Sequence, residues 1–346
     1  MNKTPVGIIG ATGYAGLELL RLLLSHPQAE VAAISSVSFE GKEISEVYPS
    51  LRNVCDKTLG GEDEVVAESK VVFAALPAGL SEDIAGKCTA QGKFFLDLGA
   101  DFRLDDEAVY TKWYKQPYRR PDLHAVSAYG LPELFREQIK GCKIVGVPGC
   151  YPTSAALGLA PALRLGLVRT QGIVIDSKSG VTGAGRGLTQ TSHFPDCNEA
   201  FSPYKIAAHR HTPEIEQTLS KLAGGEVRVT FVPHLLPVNR GIVSTIYADL
   251  SAPRTAEEIH AAYADFYKNE PFVRVRPLGE TANLRNVRLS NFCDISVHVD
   301  EHTQKLILVS TIDNMVKGSA GEAVQNMNIL LGFPETTGLE LIPTAF

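Results

Sequence analysis

Thr4-Pro5-Val6-Gly7-Ile8-Ile9-Gly10-Ala11-Thr12-Gly13-Tyr14-Ala15-Gly16 is the stretch whose reading decides the fold. Residues 4–10 read as a buried strand, and Tyr14 to Leu24 as a leucine-rich helix that Pro27 closes off. Between them, glycines recur at 10, 13 and 16. Glycines at a strand-to-helix junction let backbone approach a pyrophosphate while the helix N-terminus faces the negative charge. The loop therefore predicts a dinucleotide site at Gly10, Thr12, Gly13, Tyr14, Ala15 and Gly16. The spacing is G-x-x-G-x-x-G and not G-x-G-x-x-G, and it also fits a tight turn with close helix packing.

Outward from that loop the theme repeats. Glu30 to Ile34 reads as the next strand, with Ser35 and Ser36 where an Asp or Glu would grip the 2′-hydroxyl of NAD. Hydroxyls there tolerate a 2′-phosphate, so NADP is favoured; Glu40 keeps NAD open, and Lys42 adds a cation nearby. Residues 71–79 form another buried strand ending at Pro77, followed by Ser81 as a helix cap, and residues 94–99 end at Gly99. Strands alternating with helices predict an α/β, Rossmann-type doubly wound parallel sheet, with ligands at the carboxyl ends of its strands. The loops at Pro77 and Gly99 would then line the cofactor cleft, with Asp101 and Arg103 as an ion pair bracing it. Residues 105–133 are polar, aromatic and proline-rich, and read as a surface excursion ending in Glu133, which either faces the site or caps a helix.

A second signal lies at Val145-Gly146-Val147-Pro148-Gly149-Cys150-Tyr151-Pro152-Thr153. A strand over 143–147 and a helix over 155–165, capped by Thr153 or Ser154, place Cys150 at a strand-to-helix turn. A thiol at a helix N-terminus is biased toward the thiolate, hence toward a nucleophile, although a cysteine in apolar company is also an ordinary core residue. Residues 178–186 combine glycines, hydroxyls and the cations Lys178 and Arg186, a loop suited to an oxyanion. In Ala208-His209-Arg210-His211-Thr212-Pro213, the Thr-Pro pair starts a helix and sets His211 just outside its N-terminus, where a neutral ring is available as the base for Cys150. A surface histidine pair is the plainer reading, and no third ligand nearby supports a metal. Arg240 stands where it would hold a substrate carboxylate.

Alternating strands over 227–232, 241–250 and 294–299, with an amphipathic helix over 256–267, predict an α+β domain with a mostly antiparallel sheet, one of whose faces supports dimerisation. Small residues open a last helix after Asn314, Lys317 and Gly318 and suit close approach to a cofactor, so this helix should return to the first domain. The expected division is 1–149 with 312–346 as the nucleotide domain and 150–311 as the substrate and dimerisation domain. The chain has 346 residues, 44% hydrophobic content and a net charge of −6, without basic excess or an apolar run of membrane-spanning length. These totals argue against nucleic-acid and membrane partners and for a cytoplasmic enzyme whose six scattered cysteines are reduced.

Taken together, the glycine loop, Asp101-Phe102-Arg103, Pro148 to Thr153, His209 to Ile215 and Asp313 to Gly318 resemble the semialdehyde dehydrogenase family, in its arginine-biosynthesis branch of N-acetyl-γ-glutamyl-phosphate reductases. The likeness runs from Gly10 to about Gly332. It implies Cys150 as nucleophile, His211 as its acid/base partner, and His209, Ser179, Gly180 and Arg240 at the substrate. It further implies NADP(H) as cofactor, an acyl phosphate as substrate and a homo-oligomer, a dimer or tetramer. Gly99 and Ser319 depart from the Ser and Ala expected there. Two other readings stay open: the same chemistry on aspartyl phosphate, as in aspartate-semialdehyde dehydrogenase, and a non-redox cysteine hydrolase or transferase. A nucleotide-binding regulatory protein without catalysis is a further alternative.

Overall fold

The computed structural model describes residues 3–344, which gather into two compact units. The first runs to Pro148 and takes in Ser319–Glu340; the second is Gly149–Gly318, joined by the terminal residues from Leu341.

The first unit is built on a seven-stranded sheet of β1 (Thr4–Ile9), β2 (Ala29–Ser35), β3 (Leu59–Gly60), β4 (Val71–Ala74), β5 (Phe94–Asp97), β6 (Ser127–Tyr129) and β7 (Ile144–Gly146). Their order is β3-β2-β1-β4-β5-β7-β6, and every pairing is parallel. Order reverses at β1, so the crevice at its carboxyl end is where a doubly wound sheet takes a ligand. Strands such as Val71–Ala74 are buried residue after residue because helices cover both faces of a parallel sheet. Leu19, Leu20, Leu22 and Leu23 give the helix Tyr14–Leu24 its core face.

The excursion over 105–133 is more ordered than its composition predicts. It carries helices Glu107–Tyr114 and Pro121–His124 and supplies β6, the edge strand. Three residues are too few to show alternation in sequence. Asp101 and Arg103 each clamp backbone: the carboxylate accepts the N–H groups of Gly79 (2.6 Å) and Ser81 (2.9 Å), and the guanidinium donates to the carbonyls of Val147 and Leu98, both at 2.8 Å. Asp97 lies fully buried beside them, and burial together with the charge of Asp101 pushes its carboxyl up to about 6. A side chain at Gly99 would put its Cβ 2.8 Å from Asp97 Oδ1 and 3.0 Å from the Leu76 carbonyl oxygen, which accounts for glycine at that departure from the family pattern.

The second unit holds β8 (Ile173–Gly180), β9 (Ser202–Pro203), β10 (Val229–Leu236), β11 (Ile242–Asp249), β12 (Val273–Val275), β13 (Cys293–Asp300) and β14 (Lys305–Ile312), in the order β12-β13-β14-β11-β8-β10-β9. The central pairings β13/β14, β14/β11 and β11/β8 are antiparallel, while β8/β10 and β12/β13 are parallel. Burial alternates along β11, as a sheet with one packed face requires. The packed face lies against the helix Cys150–Arg164, where Ser154 Oγ meets Ser244 Oγ at 2.8 Å and Ser244 Oγ meets Ser177 Oγ at 2.7 Å. The opposite face carries half-buried Val174, Val243, Tyr247, Ile307 and Val309.

Candidate active site

Cys150 is the first residue of its helix, not part of a turn before it. The helix spans Cys150–Arg164 with Gly149 as its N-cap, and Thr153, expected to cap, instead donates its hydroxyl back to the Gly149 carbonyl at 3.1 Å. Pro152 permits the early start, because first-turn N–H groups have no intrahelical acceptor and a proline there forfeits nothing. The half-buried thiol therefore stands at the positive end of the helix dipole.

The second helix brought to this point is Thr212–Ala223, whose N-cap is His211 itself, with Pro213 in its first turn. Its Glu214, almost fully buried, accepts the Gly149 N–H at 2.8 Å, tying the residue before the cysteine to the histidine helix. On the other side of the cysteine, the Tyr151 ring lies 5.8 Å from that of His211 and 5.5 Å from that of His209, centroid to centroid. The two imidazoles are 4.8 Å apart. Thus both chain neighbours of Cys150 touch the His209–Glu214 segment.

Around His209 the chain builds an aromatic box of Tyr151, Tyr204 and Phe231. Its Nδ1 accepts the His211 backbone N–H at 3.1 Å, which leaves Nε2 as the protonated nitrogen, 3.4 Å from Tyr204 Oη. Burial, reinforced by the charges of Lys205 and Arg210, lowers the ring's pKa to about 4, so His209 is a neutral Nε2–H donor at pH 7. Tyr204 and Phe231 had no signal in the sequence, because nothing in an isolated aromatic says which loop it will face. Glu214 did carry one, an acidic residue in the first turn of a Thr-Pro helix.

Ser179, Gly180 and Arg240 also meet. The Gly180 N–H bonds the Gly241 carbonyl at 2.9 Å, and a Cβ at Gly180 would fall 2.6 Å from the Asn239 carbonyl oxygen and 2.7 Å from the Arg240 nitrogen. Only glycine permits that approach. Ser179 is buried with its hydroxyl donating to the Gly180 carbonyl at 3.0 Å, and Arg240 is held 3.4 Å from the buried carboxylate of Asp313. Lys178 turns away to Asp176 at 3.0 Å, which also faces His234 at 3.1 Å, so the expected anion loop keeps its glycines and hydroxyls but not this cation.

The residues after β14 are held within the second unit, and one of them packs on the cysteine. Asn314 commits both ends of its amide, accepting from the Gly241 N–H at 2.6 Å and donating to Thr182 Oγ1 at 3.0 Å. Lys317 is 0% exposed, its ammonium 6.0 Å from the Phe272 ring, so it offers no exposed charge to a nucleotide. Gly318 packs on the cysteine: a Cβ there would lie 2.8 Å from Cys150 Cβ.

In the first unit, Gly10 adopts φ +83°, and a Cβ at Gly16 would sit 2.2 Å from the Gly10 carbonyl oxygen, so these two glycines shape the turn itself. Gly13 is different. A Cβ there would meet only the Gly10 carbonyl oxygen, at an ordinary 3.5 Å. No packing demands this glycine, and its bare Cα keeps open the face at the start of the helix, which has no side-chain cap. Tyr14 and Pro77 are exposed and Ala15 half-buried beside this opening. The loop thus fits a dinucleotide pyrophosphate. Ser35 and Ser36 are buried, and Ser36 Oγ bonds Thr12 Oγ1 at 2.7 Å.

Among the described residues no cluster of metal-ligating side chains occurs, and no helix is long and apolar enough to cross a membrane. Residues 5–142 match the family described as semialdehyde dehydrogenase, NAD binding domain, and residues 150–314 match semialdehyde dehydrogenase, dimerisation domain. The chain is 57% identical over 341 residues to a protein of Clostridium beijerinckii named N-acetyl-gamma-glutamyl-phosphate reductase, covering 99% of each. Proteins with the same name from Brachyspira hyodysenteriae (57%, 99% of each chain) and Symbiobacterium thermophilum (52%, 96% of this chain and 97% of the relative) are similarly close. Among solved structures, aspartate semialdehyde dehydrogenase II of Vibrio cholerae shares the fold at a TM-score of 0.74 with 18% identity, over 96% of this chain and 99% of that one. The chain belongs to the semialdehyde dehydrogenase family, and within it groups with the proteins named N-acetyl-gamma-glutamyl-phosphate reductase.

Proposed function

We propose that the chain reduces N-acetyl-γ-glutamyl phosphate to N-acetylglutamate semialdehyde with NADPH, as a cytoplasmic enzyme of arginine biosynthesis. The observation that carries this reading is the thiol at the first position of one helix, flanked on both sides by contacts to the imidazole-bearing start of another. In a chain this similar to reductases of that name, the pair has a specific task.

Cys150 thiolate attacks the acyl carbon, the carbon–oxygen bond to phosphate breaks, and a thioester forms with release of inorganic phosphate. Dividing one difficult substitution and reduction into two steps is the gain from covalent capture. His211 takes the thiol proton beforehand and protonates the oxygen that develops when the thioester is reduced. The Gly10–Gly16 loop and Pro77 would hold NADPH, which would supply the hydride for reduction of the thioester. The thiohemiacetal left by that reduction collapses as His211 takes back the hydroxyl proton and the carbon–sulfur bond breaks, which returns the thiolate and releases the semialdehyde. The positive end of the helix dipole at Cys150 stabilises the oxyanion, and a well-placed backbone donor of this kind is typically worth about 10²–10³ in rate. His209, fixed as an Nε2–H donor, orients substrate; Arg240 holds its carboxylate, and Ser179 with Gly180 its polar end.

The half-buried face of the second sheet, where Val243, Tyr247 and Val309 stand among polar residues such as Thr245 and Asp249, is the surface on which two copies would pair. The test is Cys150→Ala: turnover should vanish while NADPH still binds. Turnover near that of the parent would refute the role. Oxidation of N-acetylglutamate semialdehyde with NADP and phosphate, run beside aspartate semialdehyde, separates this substrate from its shorter relative; faster turnover of the latter would refute the assignment.

A further inference from the structure

Asp313 follows directly on β14 and is 0% exposed. Its Oδ1 accepts the N–H groups of Met315 (2.8 Å) and Val316 (3.1 Å), and its Oδ2 accepts that of Leu289 at 2.8 Å. Arg240 Nη1 joins this set, 3.4 Å from one oxygen and 3.5 Å from the other. The next residue holds the backbone of the same arginine. Asn314 Oδ1 accepts the Gly241 N–H at 2.6 Å, so Asp313 takes the side chain of Arg240 and Asn314 the peptide that follows it. Thr182 Oγ1, which accepts from Asn314 Nδ2 at 3.0 Å, donates to the Asn239 carbonyl at 2.6 Å and closes the clamp over residues 239–241.

Two unusual backbone positions show how firmly this point is fixed. Leu289 adopts φ +59°, in the left-handed region that L side chains rarely enter, and its N–H is the one that Asp313 accepts. Gly241 adopts φ +112°, and a Cβ there would fall 1.8 Å from Leu284 Cδ1, so the loop bearing Leu289 packs on the residue after Arg240. A sparsely populated conformation persists only where its surroundings impose it. One buried carboxylate therefore pins the Leu289 loop and the Arg240 side chain together.

We infer that Asp313 is the positioning residue that aims Arg240 at the α-carboxylate of the substrate, and so sets the preference for an aldehyde that carries this group over one that lacks it. This rests on the reading of Arg240 above and deepens it at the substrate end. A guanidinium is planar, with five donors in a fixed fork. Held at one nitrogen by a backbone-anchored carboxylate, that plane is set before the substrate arrives. A loose arginine must instead give up its rotamer freedom at each binding event. The Arg240 side chain is 22% exposed and that of Asp313 0%, which gives the pair an inner end in the protein and an outer end that a ligand can meet. A substrate without the carboxylate has nothing to lose when the arginine comes loose.

The experiment compares kcat/KM for two aldehydes in the oxidation that uses NADP and phosphate: N-acetylglutamate semialdehyde, and γ-acetamidobutyraldehyde, the same molecule without its α-carboxylate. Asp313→Asn keeps the size of the side chain and removes its charge. Activity on the first aldehyde should fall roughly 10- to 100-fold, mostly as a rise in KM, with activity on the second within about threefold of the parent. Arg240→Lys, which keeps a charge but not the fork, should show the same pattern. Leu289→Gly takes the positive φ without strain, so Asp313→Asn is also measured in that background, which stays folded when the carboxylate no longer holds the loop. Equal losses on both aldehydes, or no loss on either, would overturn the inference, because Asp313 would then be general support or idle. If Arg240→Lys leaves the preference for the first aldehyde intact, the reading of Arg240 fails and the inference with it. If Arg240→Lys erases that preference and Asp313→Asn does not, the inference alone fails. A parent protein that oxidises neither aldehyde refutes the proposed function itself, and with it the inference.

Discussion

Replacing Gly318 by alanine tests whether the segment after β14 exists to seat the cysteine. The added Cβ would stand 2.8 Å from Cys150 Cβ, 3.2 Å from Cys150 Cα and 3.2 Å from Ile312 Cδ1. Optimal carbon–carbon separation starts near ~3.5 Å, so the closest pair is short by about 0.7 Å. Ile312 can swing its terminal methyl aside, but the other two atoms belong to the first residue of a helix and move only with its backbone. Overpacking of this kind costs about 1–3 kcal/mol of stability. Displacing a reacting group by about 1 Å costs on the order of 10²-fold in rate, so a loss of roughly 10- to 100-fold in kcat/KM is expected, mostly in kcat. Steady-state kinetics with the acyl phosphate, alongside the rate of Cys150 alkylation by iodoacetamide and a thermal melt, would measure it. Activity within about twofold of the parent with an unchanged melting temperature would refute the reasoning, because the clash would then have been absorbed without moving the sulfur.

Other substitutions probe the supports one at a time. Glu214→Ala strands the buried Gly149 N–H and should cost about 1–3 kcal/mol with a matching fall in activity, whereas Glu214→Gln keeps an acceptor oxygen and should recover most of the stability; denaturant melts and kcat compare them. His209, lowered from 6.5 to about 4 by burial, binds fewer protons folded than unfolded in that interval. Its contribution to stability is thus fully present above pH 6.5 and lost as pH falls toward 4, and His209→Gln should flatten that part of the pH–stability curve in chemical denaturation at pH 7 and pH 5. Gly99→Ser restores the residue expected of the family but presses on the Leu76 carbonyl and Asp97; it should lower the melting temperature by a few degrees, and an increase would show that the β5 loop has slack.

What the sequence reveals is the part written in local chemistry. Gly10, Gly13 and Gly16 announce the first crossover because a strand, a bend and a helix start leave their marks within a dozen residues. Pro148, Gly149 and Pro152 likewise mark the seat of Cys150, though they misplace the helix start, since a proline in the first turn looks like an interruption and is not one. The aromatic box is invisible for the opposite reason. Tyr151, Tyr204 and Phe231 come from three separated segments, and only the pairing of β9 and β10 brings the last two together. Lys317 is expected beside a cofactor and is among the most deeply buried side chains, an environment that spacing alone does not announce. The cleft beside Ser35 and Ser36 is hidden in the same way: Glu40 and Glu64 are twenty-four positions apart, and the parallel pairing of β2 with β3 sets them around one opening.

The central claim is that Cys150 carries the acyl group. Mixing the protein with N-acetyl-γ-glutamyl phosphate in the absence of any nicotinamide cofactor, then measuring released phosphate and the intact mass, tests it most directly. The account predicts a burst of one phosphate per chain and a mass increase of one N-acetylglutamyl group that peptide mapping assigns to Cys150. Phosphate release without an adduct, or an adduct on any other residue, would contradict it.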